Sequence, residues 1–487
     1  MVHPQTLFID GKWIEAENDE RIEVLDPSTE EVAGTVAHAT ESEVLSAVEA
    51  ANEAQKDWGL RPAPERGQLV RDIADVLTDH REELAGLIMT EQGKPREQAI
   101  GEVDAAADMS NYMAEWDRRI EGDVVPGDVQ DEKLTLERRP LGVVAGIIPW
   151  NYPIALLMRK TAPALVTGNT MIAKPSSNTP LATVRAFELI DEYVDLPDGV
   201  INLVTGHGST VGDTLVTADG VDMVTMTGDT DTGKAINESV ASSLKPVSLE
   251  LGGKAPAIVW KDANLEAAVE DVLTARIANT GQVCTCAERV YVHSEVAKEF
   301  TDRLVKAAED VVVGDPRNDP DMGPQVSAAE LETTESAVEA AVAQGATLRT
   351  GGSPPEGDQF ERGYWFQPTV LTDVTQDMDV IQEEVFGPVT PVVEVDSMDQ
   401  AIEYANQSKY GLSSYLFTNN YQLVNRVIDE LEFGETYVNR SIGESWQGHH
   451  NGWDESGIGG EDGKYGMLKY TRLKTIYHNY ENPAESN

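Results

Sequence analysis

The two cysteines of the chain lie two residues apart, in the segment Asn279-Thr-Gly-Gln-Val-Cys284-Thr-Cys286-Ala-Glu-Arg289. An amphipathic pattern predicts a helix before this segment, over Asn264–Ala278, and an apolar run of β-type residues, Val290–His293, predicts a strand after it. A cysteine at such a junction can expose its sulfur to a cleft while nearby backbone N–H groups favour the thiolate. The segment therefore predicts that Cys284 is a nucleophile, with a small buried residue as the alternative.

We expect neither a disulfide nor a metal site at this pair. The spacing of Cys284 and Cys286 is a poor match to the geometry of a relaxed disulfide. Two thiols need further ligands to complete a tetrahedral zinc site, and no pair of histidines lies nearby at ligand spacing.

Three further motifs place an acid or an amide beside a turn. They are Leu249-Glu250-Leu-Gly-Gly-Lys254, Ile147-Ile-Pro-Trp-Asn151-Tyr-Pro153 and Glu383-Glu384-Val-Phe386-Gly-Pro388. Taken singly, each is also compatible with an ordinary strand end and turn. Together with Gly-Gln-x-Cys and the arginine five residues after that cysteine, they resemble the aldehyde dehydrogenase superfamily, and the resemblance runs from residue 6 to 480.

The resemblance implies a role for each catalytic residue. Cys284 would attack the aldehyde carbon, and the side-chain amide of Asn151 would hold the oxyanion that forms. Hydride would then leave for a nicotinamide, and Glu250 would activate the water that hydrolyses the thioester to a carboxylate. Glu461, in Gly-Glu-Asp-Gly, aligns with an acid that relays the proton, with an ordinary surface acid as the alternative. Lys160 would support the same region.

A glycine turn indicates where the cofactor's pyrophosphate binds. The apolar run Val221–Met226 is followed by Thr227-Gly228-Asp-Thr-Asp-Thr-Gly233-Lys, which opens a helix whose free N–H groups suit a phosphate. Its G-x-x-x-x-G spacing differs from the usual dinucleotide fingerprint but resembles this superfamily's variant. The resemblance also implies that Lys174 holds the adenosine ribose and Glu384 the nicotinamide ribose. The remaining cofactor contacts that it implies are Ile147, Pro149, Trp150, Ser177, Leu251 and Phe386.

Two positions depart from the family's usual pattern at this cofactor site. Asp229 stands where the family has a small hydroxyl residue, so we expect its carboxylate to point away from the pyrophosphate or to be screened by salt. Ser177 stands where many NAD-preferring members carry a glutamate, and this short side chain leaves room for a 2′-phosphate. We therefore expect NAD as the cofactor and keep NADP as the alternative.

The substrate pocket resembles that of the lactaldehyde and glycolaldehyde dehydrogenases. Arg159, Glu444 and His450 fall where that group places polar residues around a small hydroxylated substrate, and Thr285 stands where the group has asparagine. Polar partners suit a 2-hydroxy aldehyde because a buried hydroxyl left unpaired costs about 1–3 kcal/mol. The alternative for these residues is two surface charges and a loop histidine.

Two other functions stay open at this stage. A semialdehyde dehydrogenase, for example for 2-oxoglutarate semialdehyde, would need two or more basic side chains near the substrate, and Arg159 is the obvious candidate for one of them. An inactive scaffold that acts as a binding protein would be expected to have lost Cys284, Glu250 or Asn151, and all three are present.

The elements that must position these residues alternate between strands and helices, which predicts an α/β fold with a parallel sheet. Strands are predicted over Val143–Ile148, Thr170–Ala173, Val200–Val204, Val221–Met226 and Ala255–Val259, and helices over Ile154–Val166, Pro180–Tyr193 and Thr232–Ser242. Helical sequence dominates residues 40–118, whereas 119–140 and Tyr470–Tyr480 alternate like a hairpin.

The resemblance divides this α/β fold into three parts. It implies a Rossmann-type NAD(P)-binding domain (1–118 and 141–253), an α/β catalytic domain (254–452) and a small β oligomerisation element (119–140 and 465–487). It also implies a homo-oligomer, either a dimer or a homotetramer.

The surface of the chain is strongly acidic. Its 487 residues include 85 acidic and 37 basic side chains, a net charge of −48, and the acids are spread along the whole sequence. No basic patch could neutralise a run of phosphates, so we expect neither nucleic-acid binding nor membrane binding. An even acidic coat favours a protein adapted to high salt, from a halophilic source. The sequence has no apolar run long enough to span a membrane and no export signal at its start, so we expect a cytoplasmic protein.

Overall fold

The computed structural model describes residues 6–480 and consists of helices and strands in alternation. The strands are β1 (Leu7–Ile9), β2 (Lys12–Ile14), β3 (Arg21–Asp26), β4 (Glu31–Ala37), β5 (Asp123–Val125), β6 (Glu132–Pro140), β7 (Val143–Ile147), β8 (Thr170–Lys174), β9 (Ile201–Leu203), β10 (Met223–Thr227), β11 (Val247–Glu250), β12 (Ala255–Val259), β13 (Ala287–His293), β14 (Thr347–Thr350), β15 (Thr369–Thr372), β16 (Val389–Val395), β17 (Tyr410–Gly411), β18 (Ser413–Phe417), β19 (Glu435–Val438), β20 (Trp453–Asp454), β21 (Gly457–Ile458) and β22 (Thr471–Asn479). The α-helices are α1 (Glu41–Trp58), α2 (Ala63–Asp79), α3 (Arg81–Gln92), α4 (Arg96–Ala114), α5 (Pro153–Thr167), α6 (Leu181–Tyr193), α7 (Asp213–Thr217), α8 (Thr230–Val240), α9 (Leu265–Ile277), α10 (Ser294–Glu309), α11 (Ala328–Gln344), α12 (Asp379–Gln382), α13 (Met398–Asn406), α14 (Tyr421–Glu430) and α15 (Gly463–Lys469).

The first sheet has the order β2-β1-β9-β8-β7-β10-β11-β21, and its five central strands, β9-β8-β7-β10-β11, are parallel. Both faces of these strands are covered, which explains their nearly continuous apolar sequences. Along β7, Val144 packs into one apolar cluster and its neighbours Val143 and Ala145 into another, on the opposite face. Because the strands are parallel, the carboxyl ends of β7, β8, β10 and β11 meet at one edge of the sheet, where ligands bind in open α/β sheets.

The second sheet has the order β14-β15-β16-β13-β12-β18-β19, and all its strands except β14 run parallel. It carries the segment before β13, in which both cysteines lie, and its two edge strands are β14 and β19. The predicted α/β fold with parallel sheets is confirmed.

The predicted strands and helices form close to their predicted bounds. Most of them begin and end within about two residues of the prediction, a difference that is usual at the ends of such elements. The strand predicted over Val290–His293 is longer than expected and begins at Ala287, because the residues after Cys286 already pair with β12.

A third sheet lies apart from the other two and has the order β22-β6-β5. Strands β6 and β22 pair antiparallel over their whole length, from Glu132 opposite Asn479 to Pro140 opposite Thr471. This is the pairing outside the main sheet that the alternation in 119–140 and Tyr470–Tyr480 predicts. The division into domains at the predicted boundaries stays a prediction, and residues 1–5 and 481–487 of that division lie outside the described residues.

Among the helices of residues 6–480, none combines the length and the apolar character that crossing a membrane requires.

Candidate active site and cofactor cleft

One cavity of about 1190 Å³ lies at the carboxyl edge of the first sheet and faces the segment before β13. Most of the residues predicted from the sequence line it: Ile147, Pro149, Trp150, Asn151, Arg159, Lys174, Ser177, Gly228, Glu250, Leu251, Cys284, Glu384, Phe386, Glu444, His450 and Glu461. Of the other predicted residues, Lys160, Gly233 and Thr285 lie behind the wall of the cavity, as residues 6–480 define it. Residues that are far apart in the sequence thus meet in one space.

The cysteine loop is held by a tight turn after α9. Asn279 and Thr280 adopt left-handed backbone conformations, and Gly281 follows with φ +77°. A Cβ on Gly281 would lie 2.4 Å from the backbone of Gly387, so only glycine allows this approach. Gln282 is fully buried, and its side chain donates to Asn279 O at 2.8 Å and accepts from the Val326 N–H at 2.9 Å. The Gly-Gln of the motif therefore fixes the loop from which Cys284 projects.

The two cysteines have different environments. Cys284 lines the cavity and is half-buried, whereas Cys286 is completely buried, and burial raises its pKa to about 12. Burial also raises the pKa of Cys284, and the nearby His450 only partly opposes that rise. Cys284 is thus the thiol that is placed to react.

Glu288, also in the cysteine motif, ties three of the sequence motifs together. Its carboxylate accepts from Lys254 Nζ at 2.6 Å and from the Val385 and Phe386 N–H groups at 3.1 and 3.2 Å. Arg276 lies 3.0 Å away. Burial alone would raise the pKa of Glu288, but Arg276 and Lys254 outweigh it and lower this pKa to about 2. A permanently charged carboxylate therefore fixes the loops on both sides of the cavity.

Glu250 ends β11 and points into the cavity almost completely buried. Neither of its carboxylate oxygens accepts a hydrogen bond from any described residue. Burial raises its pKa to about 8; the His450 charge lowers the pKa, and the Glu461 charge raises it further. A carboxylate that lacks hydrogen-bond partners and has a pKa of about 8 is suited to take a proton from water.

Glu461 and Lys160 form a buried pair beside Glu250. Lys160 Nζ lies 2.5 Å from Glu461 Oε1 and also donates to Thr227 Oγ1 at 2.7 Å. The second oxygen of Glu461, which lines the cavity, has no hydrogen-bond partner within residues 6–480. The pair thus orients one carboxylate oxygen and leaves the other free, as a proton relay requires, and the surface-acid alternative does not fit this burial.

Asn151 follows β7, and its amide is held close to the cysteine loop. Its Nδ2 donates to Gln282 O at 3.0 Å, which leaves the second hydrogen of the amide for another acceptor. Its backbone carbonyl accepts from Lys94 Nζ at 2.8 Å and from Asn279 Nδ2 at 3.0 Å. The amide is therefore positioned next to the loop of Cys284, where an oxyanion would form.

The other half of the cavity has the features of a dinucleotide cradle. Lys174 ends β8, and burial lowers its pKa to about 8. Ser177 Oγ donates to Gly206 O at 3.1 Å and lies 3.5 Å from His207 Nδ1. Trp150 and Phe386 meet edge to face, with ring centroids 5.4 Å apart.

The departure at Asp229 has a structural reason. Asp229 is the N-cap of α8, and its carboxylate accepts from the Thr232 N–H at 2.8 Å and from the Thr232 hydroxyl at 2.6 Å. The Asp229 carboxylate thus caps the N-terminus of its own helix. Gly233 allows close packing of helix and strand, since a Cβ there would lie 2.4 Å from the Leu251 side chain.

Glu384 faces this cradle beside Gly252. Its Oε1 accepts from the Gly253 N–H at 2.8 Å, and burial raises its pKa to about 8. A Cβ on Gly252 would lie 2.4 Å from Oε2, so the glycine makes room for the carboxylate. Glu384, Lys174, Trp150 and Phe386 fit a nicotinamide dinucleotide, which supplies the hydride acceptor when it is bound.

The substrate end of the cavity is polar and internally paired. Arg159 donates from Nε and Nη2 to the two carboxylate oxygens of Asp462 at 3.1 and 2.6 Å, and its Nη2 lies 3.6 Å from Glu444 Oε2. Burial alone would lower the pKa of Arg159, but the two carboxylates raise it above its usual value. Thr285 is fully buried, and its hydroxyl donates to Glu444 Oε1 at 3.3 Å, so it holds Glu444 and does not itself contact the cavity.

His450 lies between two glutamates and lines the cavity together with Cys284. Its Nε2 is 3.7 Å from Glu250 Oε2, and its Nδ1 is 3.2 Å from Glu435 Oε1. One ligand atom each of Glu435, Glu444 and His450 lie within 4.8 Å of one another, which is the geometry of a candidate cation site, although His450 Nδ1 is already occupied by Glu435. The absence of a resident metal stays a prediction.

Sequence reasoning missed two of these residues. Asp462 directly follows the predicted Glu461, and no local pattern indicates that it pairs with Arg159 across 303 positions. Glu435 lies in Gly434-Glu-Thr-Tyr-Val-Asn-Arg440. Because alternate residues of a strand face the same side, Glu435 shares a face with Tyr437, and this is the one sequence signal that places Glu435 inside the protein.

The arrangement suits oxidation of an aldehyde at a thiol. A thiol, an amide donor and an unpartnered carboxylate with a raised pKa share one cavity with a cradle for a hydride acceptor.

Comparisons with known proteins agree with this chemistry. The chain matches the aldehyde dehydrogenase family over residues 13–476. Curated relatives include a 3,6-anhydro-alpha-L-galactose dehydrogenase from a Vibrio species (44% identical, covering 98% of this chain and 99% of that one) and a lactaldehyde dehydrogenase from Escherichia coli (44%, 98% and 98%). Another is an alpha-ketoglutarate semialdehyde dehydrogenase from Haloferax volcanii (39%, 99% and 100%).

A solved structure, betaine aldehyde dehydrogenase from Staphylococcus aureus in complex with NAD+, superposes with a TM-score of 0.96 at 36% identity and covers 99% of this chain and 96% of that one. The family match spans nearly the whole chain, and the site geometry is that of the family's chemistry. The chain therefore belongs to the aldehyde dehydrogenase family and is an NAD(P)-dependent aldehyde dehydrogenase.

Proposed function

We propose that this enzyme oxidises a small 2-hydroxy aldehyde, L-lactaldehyde or glycolaldehyde, to its carboxylate. Cys284 forms the thiohemiacetal, the Asn151 amide stabilises its oxyanion, and Glu250 activates the water that hydrolyses the thioester. Losing one oxyanion donor costs about 3 kcal/mol in such reactions. The retention of Cys284, Glu250 and Asn151 in one cavity is the reason for setting aside an inactive scaffold.

The main support for this substrate class is the fixed polar cluster at the end of the cavity. Arg159 is held by Asp462 and Glu444, and Thr285 holds the other oxygen of Glu444. Both oxygens of Glu444 are thus oriented while the residue still lines the cavity. A carboxylate fixed in this way is a strong acceptor for a substrate hydroxyl.

The same cluster argues against a substrate with a distal carboxylate. The only described arginine or lysine in this part of the cavity wall, Arg159, is already paired with two carboxylates. Asp462 and Glu444 together carry one more negative charge than Arg159 can neutralise, so an anionic semialdehyde would meet an excess of negative charge there. A 2-oxoglutarate semialdehyde is therefore the second candidate, supported by the 39% identical relative and opposed by the charge of the pocket.

A panel of aldehydes tests the substrate class. With NAD and with NADP, we expect L-lactaldehyde and glycolaldehyde to give higher kcat/KM values than benzaldehyde and 2-oxoglutarate semialdehyde. The open form of 3,6-anhydro-L-galactose belongs in the panel because it is also a 2-hydroxy aldehyde, and the 44% identical relative is named for it. If the semialdehyde is the best substrate, the proposal is wrong.

For the cofactor, we propose a modest preference for NAD over NADP. The support is the family resemblance, and Lys174 is the only arginine or lysine among the described residues that line this half of the cavity. For the assembly, we propose a dimer or a homotetramer formed through the β5–β6–β22 sheet. That sheet exposes Val124, Leu473 and Tyr477, three large apolar side chains that an interface would bury. Light scattering of the purified protein measures the mass of the assembly.

A further inference from the structure

A buried lysine lies in the short link between α3 and α4. Gly93 ends α3 in the left-handed conformation, with φ +80°, and Pro95 precedes α4 with φ −53°. The backbone on both sides of Lys94 is therefore restricted. Lys94 is 1% exposed, and a buried ammonium group is unfavourable unless it is paired, so its partners indicate why it lies there.

The ammonium group of Lys94 contacts the turn that carries the oxyanion amide. It is paired with Glu102 and donates to the backbone oxygen of Asn151 at 2.8 Å. It also lies 3.5 Å from the centroid of the Tyr152 ring, in a cation–π contact. Lys94 is thus bound to two successive residues of the turn before α5.

Glu102 joins the same turn to α5. Its Oε1 accepts from the N–H groups of Ile154 and Ala155 at 2.9 and 3.3 Å, which are donors in the first turn of α5. Its Oε2 is the oxygen that is paired with Lys94. The ion pair therefore holds the backbone on both sides of Tyr152.

Helix α4 also contacts the cysteine loop. Gln98 lies four residues before Glu102, on the same face of α4, and its Oε1 accepts from the Asn279 N–H at 2.9 Å. The side chain of Asn279 donates to the Asn151 backbone oxygen at 3.0 Å, so this oxygen has two donors. One face of α4 thus contacts both segments between which the oxyanion would form, the turn of Asn151 and the loop of Cys284.

We propose that Lys94, held by Glu102, is a positioning residue that directs the Asn151 amide at the oxyanion of the thiohemiacetal. Within residues 6–480, Lys94 does not itself line the cavity, so it acts through Asn151. The inference rests on the oxyanion role proposed for Asn151 and deepens it, because the sequence motifs assign no role to Lys94 or to Glu102.

The position of Asn151 matters because its amide has one hydrogen left for the oxyanion. The other hydrogen of Nδ2 is donated to Gln282 O at 3.0 Å. An oxyanion donor is effective when it is held in place before the charge develops. Without Lys94, the Asn151 carbonyl would keep only the Asn279 donor, and Glu102 would be a buried charge without its partner.

A double-mutant cycle of Lys94→Met and Asn151→Ala tests the proposal. The readout is the rate of the burst of NAD(P)H in the first turnover, because the oxyanion forms before hydride transfer. We expect Lys94→Met to slow the burst about tenfold alone and less than about twofold in the Asn151→Ala background, where the amide is already missing.

Two controls separate positioning from general damage to the enzyme. Lys298→Met is the matched variant, because Lys298 is an exposed lysine paired with Asp302, and it should leave the burst unchanged. Alkylation of Cys284 by iodoacetamide without substrate should stay within about twofold of wild type in Lys94→Met, because this reaction reports on the thiol and forms no oxyanion. Alkylation that slows as much as the burst would overturn the proposal.

The cycle distinguishes failure of this proposal from failure of the proposed function. Losses that multiply in the double variant, or an unchanged burst in Lys94→Met, would overturn the positioning role and leave the proposed function intact. An unchanged burst in Asn151→Ala would contradict the oxyanion role itself and the positioning role with it.

A second variant covers poor folding of Lys94→Met, which circular dichroism would show. Lys94→Met/Glu102→Gln then takes its place, because it removes both charges and keeps an oxygen for the N–H groups at the start of α5. The same slowing of the burst, absent in the Asn151→Ala background, is expected. Losses that multiply with Asn151→Ala would again overturn the proposal.

Discussion

Cys284 and Cys286 have identical side chains, but their different burial gives the two thiols different reactivity. The first projects from a fixed turn into the cavity, and the second is completely buried below it. A thiol buried in this way loses its nucleophilic form, because its pKa rises far above neutral pH. The reactivity of the motif is thus concentrated on one sulfur.

Replacing Cys284 with alanine should abolish aldehyde oxidation and remove rapid labelling by iodoacetamide. The matched variant Cys286→Ala should stay within a few-fold of wild-type turnover, because its thiol does not line the cavity. Steady-state kinetics and peptide mapping measure both. A dead Cys286→Ala enzyme beside an active Cys284→Ala enzyme would reverse the assignment.

For the base, Glu250→Gln should still release one equivalent of NAD(P)H per active site, while steady-state turnover collapses. The raised pKa of Glu250, about 8, means that the carboxylate form gains population as pH rises. Thioester hydrolysis in the wild type should therefore increase with pH up to about pH 9 and level off above that value. Stopped-flow absorbance measures the burst, and Glu394→Gln, on an exposed strand position, is the control. Loss of the burst in Glu250→Gln would place Glu250 in an earlier step.

At the scale of elements, periodicity is enough to predict the parallel strands of the first sheet. Buried strands such as β7 and β8 are continuous apolar runs, and short turns separate them from amphipathic helices. Helix α8 begins two residues before its predicted start because Asp229 caps it, and an aspartate is also common in plain turns. Helix ends are therefore the part of the fold that local pattern predicts least well.

The local sequence pattern does not predict pairs of residues that are far apart in the chain. The partners Arg159–Asp462 and His450–Glu435 belong to different elements, and each acid is one among 85 in the sequence. The family motifs predict Cys284, Glu250 and Asn151 by position, whereas Glu435 and Asp462 require three-dimensional distances.

We propose that Ser177, in the turn after β8, influences the preference between NAD and NADP. Ser177→Glu should weaken NADP binding by at least about tenfold, since a carboxylate beside a 2′-phosphate is repelled, and should strengthen NAD binding through the ribose hydroxyls. Ser177→Gln, of the same size but without charge, is the matched control and should change the two affinities less. Tryptophan fluorescence titration gives both dissociation constants. A wild-type kcat/KM at least tenfold higher with NADP than with NAD would contradict the proposed preference.

At the scale of the whole molecule, the net charge of −48 is the dominant feature. In dilute buffer these charges repel one another, whereas at 1 M salt the screening length falls to about 3 Å. We expect the Tm to fall by at least about 5 °C between molar KCl and low salt, which corresponds to about 5 kcal/mol of stability for a chain of 487 residues. Differential scanning calorimetry measures this shift, and sucrose at equal osmolality is the non-screening control. An unchanged Tm and full activity in dilute buffer would contradict adaptation to salt.

The proposed preference for a 2-hydroxy aldehyde depends on the fixed polar end of the cavity, where Arg159 and Thr285 hold Glu444 in place. A site built to bond a hydroxyl discriminates against the substrate that lacks it, because its own polar groups are then left unpaired. The discrimination between two aldehydes of equal length therefore reports on Glu444 directly.

The decisive measurement is the ratio of kcat/KM for L-lactaldehyde to that for propanal, in the wild-type enzyme and in Glu444→Ala, with Glu432→Ala as the surface control. We predict a wild-type ratio of at least about ten. In Glu444→Ala the ratio should fall toward one, because only lactaldehyde loses a hydrogen-bond partner for its hydroxyl, and in the control it should not change. An equal loss on both substrates in Glu444→Ala would make Glu444 purely structural. A wild-type enzyme that prefers propanal would contradict the proposed substrate class, while the aldehyde dehydrogenase chemistry would stand.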